Sequence, residues 1–264
     1  MLELYQFELS QYSEKVRLIL DYKGLEYRKI EVTPGIGQVE LFRMTGQRQV
    51  PVLKDGSKFI ADSTKIAKYL DEQYPEKPLI PTDVKQRGLC LMIEEWADES
   101  IGTKSRKALF GAISQDQNLR QSLLPSSTPD IFKSLISGVP GDLLQALGTG
   151  VGYSHEAINS AIADLKQDLE ALSLLLTDSP YLCGGNQLTL ADLTVAGVSL
   201  LLKFPDGAYL ELPNSLKGKG VSILTEDPIF QVFFAWRDRI YSQYRKPLIG
   251  GSTGGGSPTS IQID

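Results

Sequence analysis

The sequence is short of the residues on which most reactive centres depend. Of 264 residues one is histidine, His155, and two are cysteine, Cys90 and Cys183. A single histidine rules out multi-histidine metal sites, and it permits a Ser-His-Asp triad only if His155 is the base. The cysteines lie in apolar surroundings, outside any Cys-x-x-Cys or metal spacing, and read as buried structural thiols suited to a reducing compartment. Long apolar runs are also lacking. The longest stretch, Leu190 to Leu202, carries Asp192, Thr194 and Ser199 and is too short to span a bilayer. The first ten residues have neither a basic nor a long apolar segment, so no secretory leader is expected. Positive charge is in slight deficit, 27 Lys and Arg against 32 Asp and Glu for a net charge of -5, which gives no pull toward nucleic acid or anionic membranes. The short basic stretch Lys104-Ser105-Arg106-Lys107 reads as a solvated helix face.

What remains is an ordinary globular composition, 42% hydrophobic and 22% charged, at a length that suits one large or two ordinary domains. The first part alternates strand and helix patterns. Leu2 to Phe7 has a period of two. Val16, Leu18, Ile19 and Leu20 mark a helix ending near Gly24, which stands where a left-handed cap belongs. Tyr27 to Val32 reads as a second strand, and the close strand-helix-strand order favours a parallel unit. A short irregular helix is expected over Val39 to Met44. Gln49 to Leu53, Asp55-Gly56 and Lys58 to Ile60 read as a hairpin. Pro51 interrupts its first strand, which predicts an edge position or a special peptide bond there. Asp62-Ser63-Thr64 opens a helix with Ile66, Ala67, Tyr69 and Leu70 on its apolar side.

Three prolines between Tyr74 and Thr82 mark a linker. The predicted organisation is an α/β domain over 1–74, a linker over 75–83 and an all-helical domain over 84–248. Within the last, helices are expected around Leu89 to Ala97, Ile158 to Leu176, Leu190 to Leu202 and Ile229 to Tyr244. The helix from Leu190 is apolar nearly all round and should be the buried centre. Thr189 and Asp192 form its N-terminal capping box, a structural role. A loop-rich insertion is expected near 114–154, as a lid, a site wall or a dimer surface. The Gly/Ser-rich tail over 250–264 reads as disordered.

Four segments carry a family resemblance: Ser10 to Arg17, Gln49 to Leu53, Ala61 to Ile66, and Tyr181 to Leu193. Together, in this order, they resemble the cytosolic glutathione transferase superfamily over nearly the whole chain. The first segment looks like that of cyanobacterial and plant members, in which a serine activates the thiol. The resemblance implies a thioredoxin-like domain (βαβ-α-ββα) followed by a helical bundle.

It also implies roles for particular residues. A free thiol has a pKa of about 8.5, and one hydrogen bond to the thiolate is worth about 1.5–3 kcal/mol, roughly one to two pKa units. Ser10, just before the first helix, is the expected activator of the glutathione thiolate. Its alternative reading is a plain N-cap. Ser13 is the main competitor, and Tyr5 and Tyr12 are the remaining alternatives. A cis Val50–Pro51 bond would present the Val50 N–H and C=O to the cysteinyl backbone of glutathione. Gln49 suits the glycine end. Asp62 suits the γ-glutamyl ammonium, although relatives commonly have Glu or Gln there, and Ser63 with its helix N-terminus suits the γ-glutamyl carboxylate.

The expected function is therefore conjugation of glutathione to a hydrophobic electrophile, or glutathione-dependent peroxidase activity, in cytoplasmic detoxification and stress response. No metal and no cofactor beyond the co-substrate is expected, and a homodimer is implied by the resemblance. Two other readings stand beside it. A glutaredoxin-type reductase is disfavoured because serines occupy both redox positions. A non-catalytic binding or scaffold protein of the same fold is the second.

Overall fold

The computed structural model describes residues 1–32, 36–123 and 153–248. Its α/β part is a four-stranded mixed sheet in the order β2-β1-β3-β4, with β1 at Leu2–Gln6, β2 at Tyr27–Glu31, β3 at Val52–Asp55 and β4 at Lys58–Ala61. Helix α1 (Gln11–Lys23) carries the chain from β1 to its parallel neighbour β2. Strand β3 then pairs antiparallel with β1, Leu4 opposite Leu53, and with β4. The period of two in β1 sends Leu4 into the main core and Tyr5 to the opposite face. There Tyr5 packs with Val32, Leu41 and Val52 under α2 (Ile36–Thr45), which is longer than the irregular helix expected over Val39 to Met44. β3 begins at Val52, so Pro51 stands just outside the ladder. The strand is interior rather than at an edge, because the residue without an N–H has been left out of it.

Helix α1 is the hinge of the architecture. Ser10 caps its start and Gly24, at φ 74°, ends it as the left-handed cap. It lies between α3 (Ser63–Gln73) and the central helix α8 (Leu190–Val198), every residue of which is buried. A Cβ on Gly197 of α8 would stand 2.6 Å from the Lys15 Cα, so the two backbones meet where no side chain fits.

The helical part runs through α4 (Val84–Trp96), a π-helical turn (Ala97–Ile101), α5 (Gly102–Gln115), α6 (Gln117–Ser122) and α7 (His155–Leu175), then α8, a short α9 (Ser222–Thr225) and α10 (Gln231–Tyr244). Helices α5 and α6 thus occupy the start of the stretch read as a loop-rich insertion. The rest of that insertion, 124–152, and the tail from 249 lie outside the described residues.

The proline-rich linker is tied to both parts. The Asp71 carboxylate accepts the Leu79 N–H at 2.7 Å and the Lys23 ammonium at 3.0 Å, while the Leu79 carbonyl accepts the Leu190 N–H at 2.7 Å. At the start of α8, Asp192 accepts the N–H and the hydroxyl of Thr189 and the N–H of Leu182, each at 2.8 Å. Burial nevertheless dominates and pushes the Asp192 carboxyl up to about 6. Cys90 and Cys183 are both free and buried.

A buried charge chain joins the last described segment to α1. Arg245, just after α10, donates to Glu14 at 3.0 Å and to Asp21 at 2.6 Å, and Arg17 pairs with the other oxygen of Glu14. Burial alone would raise the Glu14 carboxyl, but the guanidinium groups of Arg245 and Arg17 outweigh it and hold the group below the ordinary range.

Candidate functional site

The N-terminus of α1, the turn before β3, the start of α3 and the π-helical turn converge on one cleft of about 240 Å³. Gln47, Gln49, Val50 and Pro51 line it from the turn before β3, and Asp62 and Ser63 from the start of α3, here termed its floor. Tyr12, Asp98, Glu99 and Arg106 complete the lining. The Val50–Pro51 peptide is cis. No backbone partner for Val50 occurs among the described residues, so its N–H and C=O are left for a ligand.

Asp62 is the N-cap of α3, accepting the Lys65 N–H at 2.9 Å, and is the one non-glycine among the described residues with a positive φ, 78°. Such backbone geometry is uncommon outside glycine and gathers at functional sites. It turns the chain sharply into α3 and sets Ser63 at the first helical position, where unpaired N–H groups and the helix dipole suit an anion.

Behind this floor stands a charge cluster that no local sequence pattern announced. The ammonium of Lys15, wholly buried, bonds Glu94 and Asp98, each at 2.6 Å, and Thr64 at 3.1 Å. Ser63 reaches the same Asp98 oxygen at 3.5 Å. One ammonium thus faces two carboxylates. The second Asp98 oxygen is buried without a partner among the described residues. Burial pushes the Asp98 carboxyl up, with Lys15 opposing. The local balance is negative, and an incoming cation would complete it.

Ser10 is half-buried, and its Oγ accepts the Ser13 N–H at 3.2 Å, the geometry of an N-cap. It is outside the set of side chains lining the cleft. The Ser13 hydroxyl is fully enclosed and has no partner among the described residues. Tyr5 lies on the other face of the sheet, with its hydroxyl 3.5 Å from Glu3 and its phenol raised by burial. Tyr12 does line the cleft, and its hydroxyl donates to the Asp98 carbonyl at 3.0 Å.

The basic stretch read as a solvated face divides among three environments. Ser105 is buried on Gln11 at 2.9 Å, Lys104 pairs with Asp168 at 3.0 Å, and Arg106 enters the cleft with its guanidinium 5.1 Å from the Tyr12 ring centre. Among the described residues no His/Cys/Asp/Glu group could hold a metal ion, and no helix is long and apolar enough to cross a membrane.

A thioredoxin-like domain of βαβ-α-ββα order, with a cis proline before its third strand and a mostly helical remainder among the described residues, matches the fold of solved glutathione transferases. Residues 4–78 match the family model of the glutathione S-transferase N-terminal domain. The chain is 40% identical over 91 residues to glutathione S-transferase 1 of Dianthus caryophyllus, covering 33% of this chain and 41% of that one. It is 32% identical over 117 residues to a zeta-class glutathione S-transferase of Euphorbia esula, covering 43% and 52% respectively. The matched region thus spans about half the length of these relatives or less. The beta-etherase LigF of Sphingobium sp. strain SYK-6 shares the fold, with a TM-score of 0.61, 22% identity and coverage of 92% of this chain and 95% of that one. Residues 4–78 thus resemble a glutathione S-transferase N-terminal domain, and the chain as a whole shares the fold of solved glutathione transferases.

Proposed function

We propose that the cleft binds glutathione and ionises its thiol for transfer to an electrophilic carbon. The observation that carries this reading is the meeting, in one cleft, of the unpaired Val50 backbone with the start of α3 and the half-neutralised Asp98 cluster. Each matches a part of the tripeptide. The Val50 N–H and C=O pair with its cysteinyl backbone as an added strand. Ser63 and the α3 N-terminus take the γ-glutamyl carboxylate, and Asp62 with Asp98 takes the ammonium. Gln49 takes the glycine end.

Donor accounting favours Ser10 as the thiol activator. Its oxygen accepts from Ser13, but its O–H has no acceptor among the described residues and is free to donate to a thiolate. The single O–H of Tyr12 is committed to Asp98, Ser13 is enclosed, and Tyr5 is on the far face. The α1 dipole adds to the same effect. The chain then acts as a glutathione transferase of 1–74, 75–83 and 84–248 organisation, with no cofactor beyond glutathione. Cytoplasmic detoxification by a homodimer is the setting that accompanies this reading.

Substituting Ser10→Ala tests it. The pKa of bound glutathione, followed by thiolate absorbance, is expected to rise by about one to two units, with a matching fall of about 10- to 100-fold in the rate of aryl halide conjugation at neutral pH. Unchanged thiol ionisation and turnover would reject Ser10. Tight glutathione binding without conjugation or peroxidase activity in the unmodified protein would favour a binding module instead.

A further inference from the structure

We propose that the second substrate carries an anionic group, a carboxylate or its equivalent, which pairs with Arg106. The inference rests on the transferase reading above and concerns the half of the cleft beyond the γ-glutamyl position. Asp98, Gly102 and Arg106 follow one another at four-residue steps along the helix that runs from the π turn into α5, and all three meet Tyr12. Arg106 is therefore two turns, about 12 Å, beyond the carboxylate cluster that faces the γ-glutamyl end.

No acid among the described residues neutralises its charge. Of the carboxylates that share the cleft with it, Asp98 holds Lys15, Asp62 caps α3, and the exposed Glu99 makes no ion pair with it. Arg106 forms no ion pair with any described residue, and its guanidinium carbon lies over the Tyr12 ring at 5.1 Å from the ring centre. A cation–π contact of this kind positions the group without using its N–H donors, which stay open to receive a carboxylate through two parallel bonds. A wholly apolar electrophile would meet Asp98, Glu99 and Arg106 on this wall, and would desolvate an unpaired cation in doing so.

The test uses a pair of aryl chlorides that differ in charge, a chlorodinitrobenzoate with chlorine para to the carboxylate and its methyl ester, each rate taken relative to the uncatalysed reaction of the same chloride with glutathione. In both, the glutathione thiolate forms a carbon–sulfur bond at the ring and chloride leaves with the bonding pair, so no oxidant or reductant is involved. The wild-type protein is expected to favour the carboxylate. Arg106→Gln should lower kcat/KM for the carboxylate about tenfold or more while changing the ester about twofold or less, and Arg106→Lys should restore part of the loss. An equal loss for both substrates, or a rise confined to the KM for glutathione, would overturn the proposal.

Calorimetry with the two purified S-aryl glutathione conjugates separates this claim from the transferase reading. If both conjugates bind but neither chloride reacts, transfer fails as the function, and Arg106 stands or falls on whether its substitution removes the preference for the carboxylate conjugate. If neither conjugate binds, both claims fail.

Discussion

The Tyr12 hydroxyl donates to the Asp98 carbonyl at 3.0 Å, across 86 residues of sequence, and so fastens the start of α1 to the π-helical turn. The fit depends on Gly102, where a Cβ would stand 2.6 Å from the Tyr12 Oη and 3.2 Å from the Gln11 Nε2, whose amide bonds the Gly102 carbonyl. π turns gather at functional sites because the extra residue re-aims side chains. Here the turn contributes Asp98 and Glu99 to the cleft. Tyr12→Phe should cost about 1 kcal/mol of stability and leave the pKa of bound glutathione where it is in the wild type. Gly102→Ala should cost about 1–3 kcal/mol and also weaken glutathione binding, because Tyr12 must move. Denaturant melts and a thiol titration read both.

Asp98→Asn removes a charge from a cluster that has one ammonium for two carboxylates. The dissociation constant for glutathione is expected to rise about tenfold. A glutathione analogue lacking the γ-glutamyl amino group should bind the wild type and the variant alike. Equal weakening for both ligands would show that Asp98 supports the floor of the site and does not meet the ammonium.

Asp192 gives a pH prediction. Its folded-state pKa, about 6, stands above the value of 3.8 expected of an unperturbed aspartate. Between those values the unfolded chain ionises while the folded chain keeps its proton. The contribution is fully present below about pH 4 and is lost as pH rises through 6. The stability of the wild type relative to Asp192→Asn should therefore fall by about 3 kcal/mol over that window and level off above it. Chemical denaturation at four or five pH values between 4 and 7 would show the slope, and a flat difference would contradict it.

How far these features were legible in the sequence follows from the range of the interactions. Gly24, the Asp55-Gly56 turn, Pro51 and the start of α3 announce themselves because backbone geometry there is decided by neighbours a few residues away. Asp98, Arg106 and the buried pairs of Lys15 and Arg245 do not. Their partners lie far along the chain, and a lone acid or base on a helix looks the same whether it faces water or a cleft. The Lys104-to-Lys107 stretch shows the cost: composition suggested a single solvated face, and tertiary packing split it between a buried serine, a surface ion pair and a cleft arginine. Gly102 and Gly197, each inside an otherwise helical pattern, are local signs of close approach. The turn of α6 is set by an N-cap, Asp116, whose carboxylate accepts the N–H groups of Asn118 and Leu119 in a stretch that composition had marked as loop.

Arg245 stands between Glu14 and Asp21, and its loss should be severe. Arg245→Met leaves two carboxylates facing an apolar side chain in the interior and should cost about 3–5 kcal/mol. Glu14, whose carboxyl is depressed in the folded state, stabilises the fold above its unfolded pKa and loses that contribution as pH falls through the folded value. In the variant this acid-side loss should shrink, because one of the two guanidinium groups that hold Glu14 ionised is gone. Melts of both proteins at pH 4 and pH 7 measure it.

The same contact has a consequence for synthesis on the ribosome. The first helix to emerge carries Glu14, Arg17 and Asp21, and the group that completes their pairing is made some 220 residues later. The amino-terminal domain therefore cannot close its own interior as it appears, and the usual order of domains folding one after another gives way to a wait for the carboxyl-terminal end.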